Sequence, residues 1–175
     1  MKIFAVRNSA GERNIHIMTR REQREAVLEL LFETEFKKDE NPEEIFALAA
    51  ADREFTVEAG SYIKDVYFDL LDKLAQIDEV IGKCSAGWKT TRLSRLSRSI
   101  MRLCVYEQMY RKDIPTTVSI NEAVELSKKF DDPKARSFVN GVLNGVKELL
   151  ATGYKPDGEQ KQETPEAEEV SANHE

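Results

Sequence analysis

The 175-residue sequence predicts an all-α protein, on three observations. Apolar residues recur at three- and four-residue steps along most of the chain, the period of helices that bury one face. Helix-entry signals precede these stripes: Thr19 with Glu22, Asn41-Pro42, Ser119 with Glu122, and Asp132-Pro133. Asn140-Gly141 and Asn144-Gly145 have the composition of hairpin turns, but the 3.6-residue pattern runs through both pairs and favours a helix.

Taken in order, residues 1–17 show neither sustained periodicity nor a cap and stay an unassigned N-terminal extension. The Thr19/Glu22 capping box opens a helix carrying Val27, Leu28, Leu30, Leu31 and Phe32. Arg20, Arg21 and Arg24 crowd its first turns and project within one arc of roughly 100°. Cations at a helix N-terminus oppose the dipole, so this patch is either a solvated face offset by Glu22 and Glu25 or a site for an anion. Asn41-Pro42-Glu43-Glu44 starts a short helix reaching Ala50, and a longer one from Thr56 buries Ile63, Val66, Tyr67, Leu70, Leu71 and Leu74. Gly82 is expected to end the helix that follows. Gly82-Lys83 is no phosphate loop, because Cys84 replaces the required hydroxyl and the upstream glycine is absent.

After Trp88 comes a two-sided helix, with Leu93, Leu96, Ile100, Leu103 and Cys104 on one side and Arg92, Arg95, Arg98 and Arg102 on another. Glu107 projects onto the apolar side, where a carboxylate needs a hydrogen bond or an ion pair. Pro115 stops this helix. Ser119 and Glu122 read as a capping box with Val118 and Ala123 as its staple, Asn121 is a competing cap, and Ile120, Ala123, Val124, Ser127 and Phe130 form the buried face. Asp132-Pro133 opens the last helix, striped by Phe138, Val139, Val142, Val146 and Leu149. Gly141 and Gly145, four apart on it, predict close approach by another helix. Beyond Thr152-Gly153, residues 155–175 are acidic, free of aromatics and expected to be disordered.

Composition narrows the function classes. The chain is of single-domain length, and 41% hydrophobic content suffices for a core. Cys84 and Cys104 lack framework spacing, which suits free thiols in a reducing cytosol. No apolar run reaches membrane-spanning length and no signal peptide is visible, so a cytoplasmic protein without membrane contact is expected. The net charge of -6 hides an uneven distribution: +4 over residues 2–24, -9 over 39–81, +7 over 82–112 and -5 over 155–175. The two basic segments say more about partners than the total does. The only histidines, His16 and His174, lie in the terminal segments, and no nucleophile–base pair or metal-ligand spacing is present. Neither catalysis, nor a metal, nor a cofactor is expected. A binding module remains, either for RNA or as a helical scaffold contacting proteins alone.

The run INEAVELSKKF followed by FVNGVL, with DIP before it, resembles the C-terminal signature of the NusB family of bacterial transcription antitermination factors. TRREQREAVLELLF resembles that family's arginine-containing first helix, and WKTTRLSRLSRSIMRLCVYE its central helix. The resemblance spans roughly Thr19 to Leu150, and Met18 stands as an alternative start to the extension. It implies two small antiparallel helical bundles packed together over residues 18–154. It also implies pairing with ribosomal protein NusE and binding of single-stranded boxA RNA in nascent ribosomal-RNA leaders, within the RNA polymerase antitermination complex. Monomer and homodimer both fit the family. On matching positions, Arg20, Arg21 and Arg24 would contact RNA, and Phe130 and Phe138 would offer stacking faces or pack in the core. Phe32, Arg95 and Arg102 would contact NusE.

Overall fold

Among the described residues, seven helices follow one another as α1 (Arg20–Phe36), α2 (Pro42–Arg53), α3 (Tyr62–Asp72), α4 (Leu74–Ser85), α5 (Arg95–Tyr110), α6 (Thr116–Phe130) and α7 (Pro133–Ala151) in the computed structural model. It describes residues 18–53, 61–86 and 94–157, and the backbone of 4–7 and 13–16. Helix α1 packs on α2, α3 and α5, while α5 and α7 pack on each other and each on both α4 and α6, so α5 is shared by both groups. One continuous apolar core joins them, from Val27, Leu28 and Tyr67 at one end to Val139, Val142 and Leu143 at the other.

The local signals explain most boundaries. Thr19 caps α1 with a complete capping box: its side chain accepts from the Glu22 N–H, and the Glu22 carboxylate accepts from the Thr19 N–H at 2.6 Å. Asp132 accepts from the Lys134 N–H at 2.7 Å and Pro133 takes the first position of α7. Glycine at 153, with φ of 82°, follows the end of that helix.

Four expectations need correction. Strands β1 (Phe4–Arg7) and β2 (Arg13–His16) pair antiparallel within the extension that sequence left unassigned. Neither FAVR nor RNIH alternates apolar with polar residues, so the pattern does not announce them. Helix α4 continues through Gly82 to Ser85. Helix α6 begins at Thr116 rather than beside Ser119, with Pro115 in the capping position. The ordered chain also extends past Lys155: Pro156 is buried, the Tyr154 hydroxyl donates to Glu79, and the Asp157 N–H donates to the same carboxylate at 3.3 Å. Thr56 as a helix start, Trp88, Arg92 and Leu93, and the tail from residue 158, lie outside the described residues.

Helices α4 and α7 do approach at Gly145, where a Cβ atom would stand 3.5 Å from Cys84 Cβ and 3.8 Å from its Sγ. That is ordinary van der Waals contact, so the site accommodates a methyl group. Gly145→Ala should therefore gain up to about 1 kcal/mol from helix propensity, read as a higher urea midpoint at unchanged slope; a lower midpoint would mean that the backbones cannot give way.

Candidate nucleic-acid interface

Helix α1 packs on α5 and is tied to α6 by side-chain ion pairs, and at their junction lies a charge that the sequence marks as needing a partner. Glu107 of α5 is 1% exposed, and its Oε1 accepts from Arg24 Nε at 2.9 Å and from the Tyr62 hydroxyl. Its Oε2 accepts from Ser119 Oγ at 2.7 Å. One carboxylate thus joins α1, α3, α5 and α6. Burial, then the Glu107 charge, raises the Tyr62 pKa, which keeps the phenol a donor. Beside it, burial pushes the Cys104 thiol up to about 12.

This cluster separates the three arginines. Arg24 is 5% exposed and spent inside the protein, with Glu122 as a second partner at 3.7 Å. It is not part of an open basic surface, contrary to the expectation from its helical position. Arg21 is the exposed member of the pair, its side chain 56% accessible. Its guanidinium engages Glu122 with two donors, Nε at 2.9 Å and Nη2 at 2.6 Å. Glu122, read as half of a capping box with Ser119, therefore pairs across helices, while Ser119 binds Glu107. A local three-residue spacing cannot reveal that distant arginine and glutamate residues will claim both side chains.

Arg21, Glu25, Glu122, Glu125, Leu126 and Lys129 line a groove of about 110 Å³ between α1 and α6. Every cation along it has an acid: Lys129 Nζ lies 2.7 Å from Glu25, and Lys128 donates to Glu125. Lys129, which lines the groove, also holds its Nζ 4.9 Å from the ring centroid of Phe130, 37% exposed at the end of α6. Asp131, directly after it, accepts from the Ser94 and Ser97 hydroxyls and ties this corner to the start of α5. Phe138 differs: it is half-buried and packed on the core.

A second surface lies at the other end of α1. Phe32 and Phe36 meet edge to face at 4.9 Å, Phe36 is 59% exposed, and the Arg95 guanidinium sits 4.5 Å from its ring centroid. Phe36 was missed in the sequence because it follows the buried stripe without belonging to it. Arg102 is less open than its helix face suggested. It binds Asp78 with two donors, at 2.7 and 2.6 Å, and also Glu35, leaving its side chain 13% exposed.

With this geometry in place, the relatives are informative. The NusB family model matches residues 21–148. The chain belongs to the NusB family. It is 41% identical over 129 residues to the transcription antitermination protein NusB of Ruminiclostridium cellulolyticum, covering 74% of this chain and 88% of that protein. Against the NusB of Natranaerobius thermophilus identity is 43% over 136 residues, 76% of this chain and 97% of the relative. The fold matches T. maritima NusB with a TM-score of 0.68 at 31% identity, covering 83% of this chain and 99% of the other. A NusB solved with NusE and double-stranded RNA matches at 0.64 and 27% identity, over 75% and 99% of the two chains. These structures carry the all-helical NusB fold expected from sequence. Among the described residues, no helix is long and apolar enough to cross a membrane.

Two outcomes follow from the charge arrangement. Glu107→Ala should cost about 3–5 kcal/mol in urea unfolding, because it leaves a buried guanidinium with only the more distant Glu122; a loss below about 1 kcal/mol would show that Glu122 or water takes over the charge of Arg24. Arg21 holds the Glu122 carboxyl below its ordinary 4.5. A depressed folded pKa stabilises above the unfolded value and is lost on acidification through the folded one. Glu122→Gln should accordingly flatten the acid limb of stability against pH below about 4.5, while an identical limb would assign that slope to other carboxylates.

Proposed function

We propose that this chain is a transcription antitermination factor that binds boxA-type single-stranded RNA in nascent ribosomal-RNA leaders together with ribosomal protein NusE, supporting ribosomal-RNA transcription. The observation that carries the reading is the groove between α1 and α6, where exposed Arg21 and the lysines of α6 lead to the open ring of Phe130. Cations beside an aromatic face suit unpaired RNA, whose phosphates take the charges and whose bases stack. The relative solved with NusE and RNA supports it. The protein acts in the cytoplasm on the antitermination complex of RNA polymerase, by binding rather than catalysis. Arg20, Arg21 and Phe130 contact RNA, Arg24 positions α1, and Phe138 supports the corner from the core side. NusE meets the Phe32, Phe36 and Arg95 surface, with Arg102 holding α5 beneath it.

Binding of the purified protein, with and without NusE, to boxA-containing and scrambled RNA tests the reading. Preference for boxA is expected, and equal binding would favour a scaffold contacting proteins alone. Arg21→Ala should lower the magnitude of the salt slope by about 0.7 with unchanged helicity. Phe130→Ala should lose about 1–3 kcal/mol of RNA affinity and little stability; loss of stability alone would return that ring to a packing role.

A further inference from the structure

Arg20 and Arg21 are adjacent in sequence yet serve different neighbours. Arg21 turns to α6, whereas the Arg20 guanidinium lies over the Tyr62 ring, 4.2 Å from its centroid. The Arg111 guanidinium, from the corner between α5 and α6, lies 5.4 Å from the centroid of the same ring. Two guanidiniums are therefore gathered on one aromatic side chain, and exposed Lys112 follows directly in the chain.

The charge balance here differs from that of the groove. Arg20 has a neutral partner, donating to Gln23 Oε1 at 3.0 Å, and forms no ion pair among the described residues. Lys112 likewise has no ion pair there. Arg111 binds Asp113 through two donors at 2.8 Å and thereby holds its carboxyl down at about 2, with the charge of Arg20 adding a smaller pull. Asp69, a further acid within the field of Arg111, is taken up by Lys73 and the Tyr106 hydroxyl. Arg20 and Lys112 thus keep their charge available, and Arg20 is held in place by the ring beneath it and the amide beside it. A guanidinium so fixed loses little freedom on meeting a phosphate, and its planar edge offers paired donors.

We infer that the RNA path does not end at Arg21 but continues over the N-terminus of α1 onto the corner at Arg111 and Lys112, where Arg20 and Lys112 take the phosphates of nucleotides flanking those bound in the groove. This rests on the RNA-binding reading above. The contact is with the backbone and carries no base preference, because the corner presents cations while Tyr62, 7% exposed, is too covered to stack on a base.

The test uses the full chain, a boxA RNA with flanking nucleotides on both sides, and the same RNA trimmed at either end. Lys112→Ala is expected to weaken the longer RNA about fivefold and to reduce the salt slope by about 0.7. Trimming one end should abolish the difference from wild type. The preference for boxA over scrambled RNA should stay unchanged, and Lys112→Arg should restore affinity. Wild-type binding that Lys112→Ala leaves unaltered in affinity and slope would overturn the extension while the groove reading stands. A variant that instead weakens NusE binding alone would make the corner a protein contact and likewise overturn it. Absence of any salt-dependent RNA binding by wild type would remove the functional reading and this one with it, a result distinct from the other two.

Discussion

A carboxylate and a guanidinium withdrawn from water together set the geometry on which the rest depends. Glu107 is met by Arg24, Tyr62 and Ser119, each from a different helix. A buried ion pair is poor evidence of net stability, since desolvation offsets much of the attraction. What it does here is positional. With donors from three other helices converging on one carboxylate, sliding or rotating any of them leaves a buried charge short of a partner, which costs more than an imperfect apolar contact. The orientation of α1 over α5 and α6 follows, and with it the direction in which Arg20 and Arg21 leave the surface.

The two ion pairs made by neighbouring arginines on α1 differ in what they can be exchanged for. An exposed pair such as Arg21 with Glu122 contributes about 0–1 kcal/mol, so a phosphate can take the guanidinium at small cost. Breaking the Arg24 pair costs several times more. Arg21 is therefore available to a ligand and Arg24 is not, although one turn of helix separates them. The acids lining the groove set a threshold as well. Glu25, Glu122 and Glu125 already neutralise its cations, so an isolated anion gains little there. A strand offering several phosphates and a base for Phe130 gains more.

This distinction marks where sequence reasoning stops. Thr19/Glu22 and Asp132-Pro133 were legible because a cap is settled within four residues. Ser119/Glu122 carries the same spacing and was misread, since its partners lie at Arg21 and Glu107, far away in the chain. That Glu107 needed a partner was readable from its apolar face; that Arg24 would supply it was not, because a helical wheel shows which residues share an arc and not where the arc meets the core. Phe130 and Phe138 both sit on apolar stripes, yet one ends a helix at a corner and the other packs inward. The periodicity is identical, and only the packed neighbours tell them apart.

On the proposed reading, helix α1 works from both ends. Its first turn carries Arg20 and Arg21, and its last carries Phe36 beside Arg95 of α5. Seventeen residues at 1.5 Å each place these ends about 25 Å apart, too far for one ligand's contacts to crowd the other's. On the proposed reading RNA and NusE therefore bind without competing for side chains. What couples them is the rigid body between, for the cluster at Arg24 and Glu107 fixes the N-terminal half of α1, while the Arg102 bridge from α5 to Glu35 fixes the C-terminal half. Loosening either tie frees one end of the helix relative to α5, so the exposed residues at that end lose their preorganised arrangement even though none of them has changed.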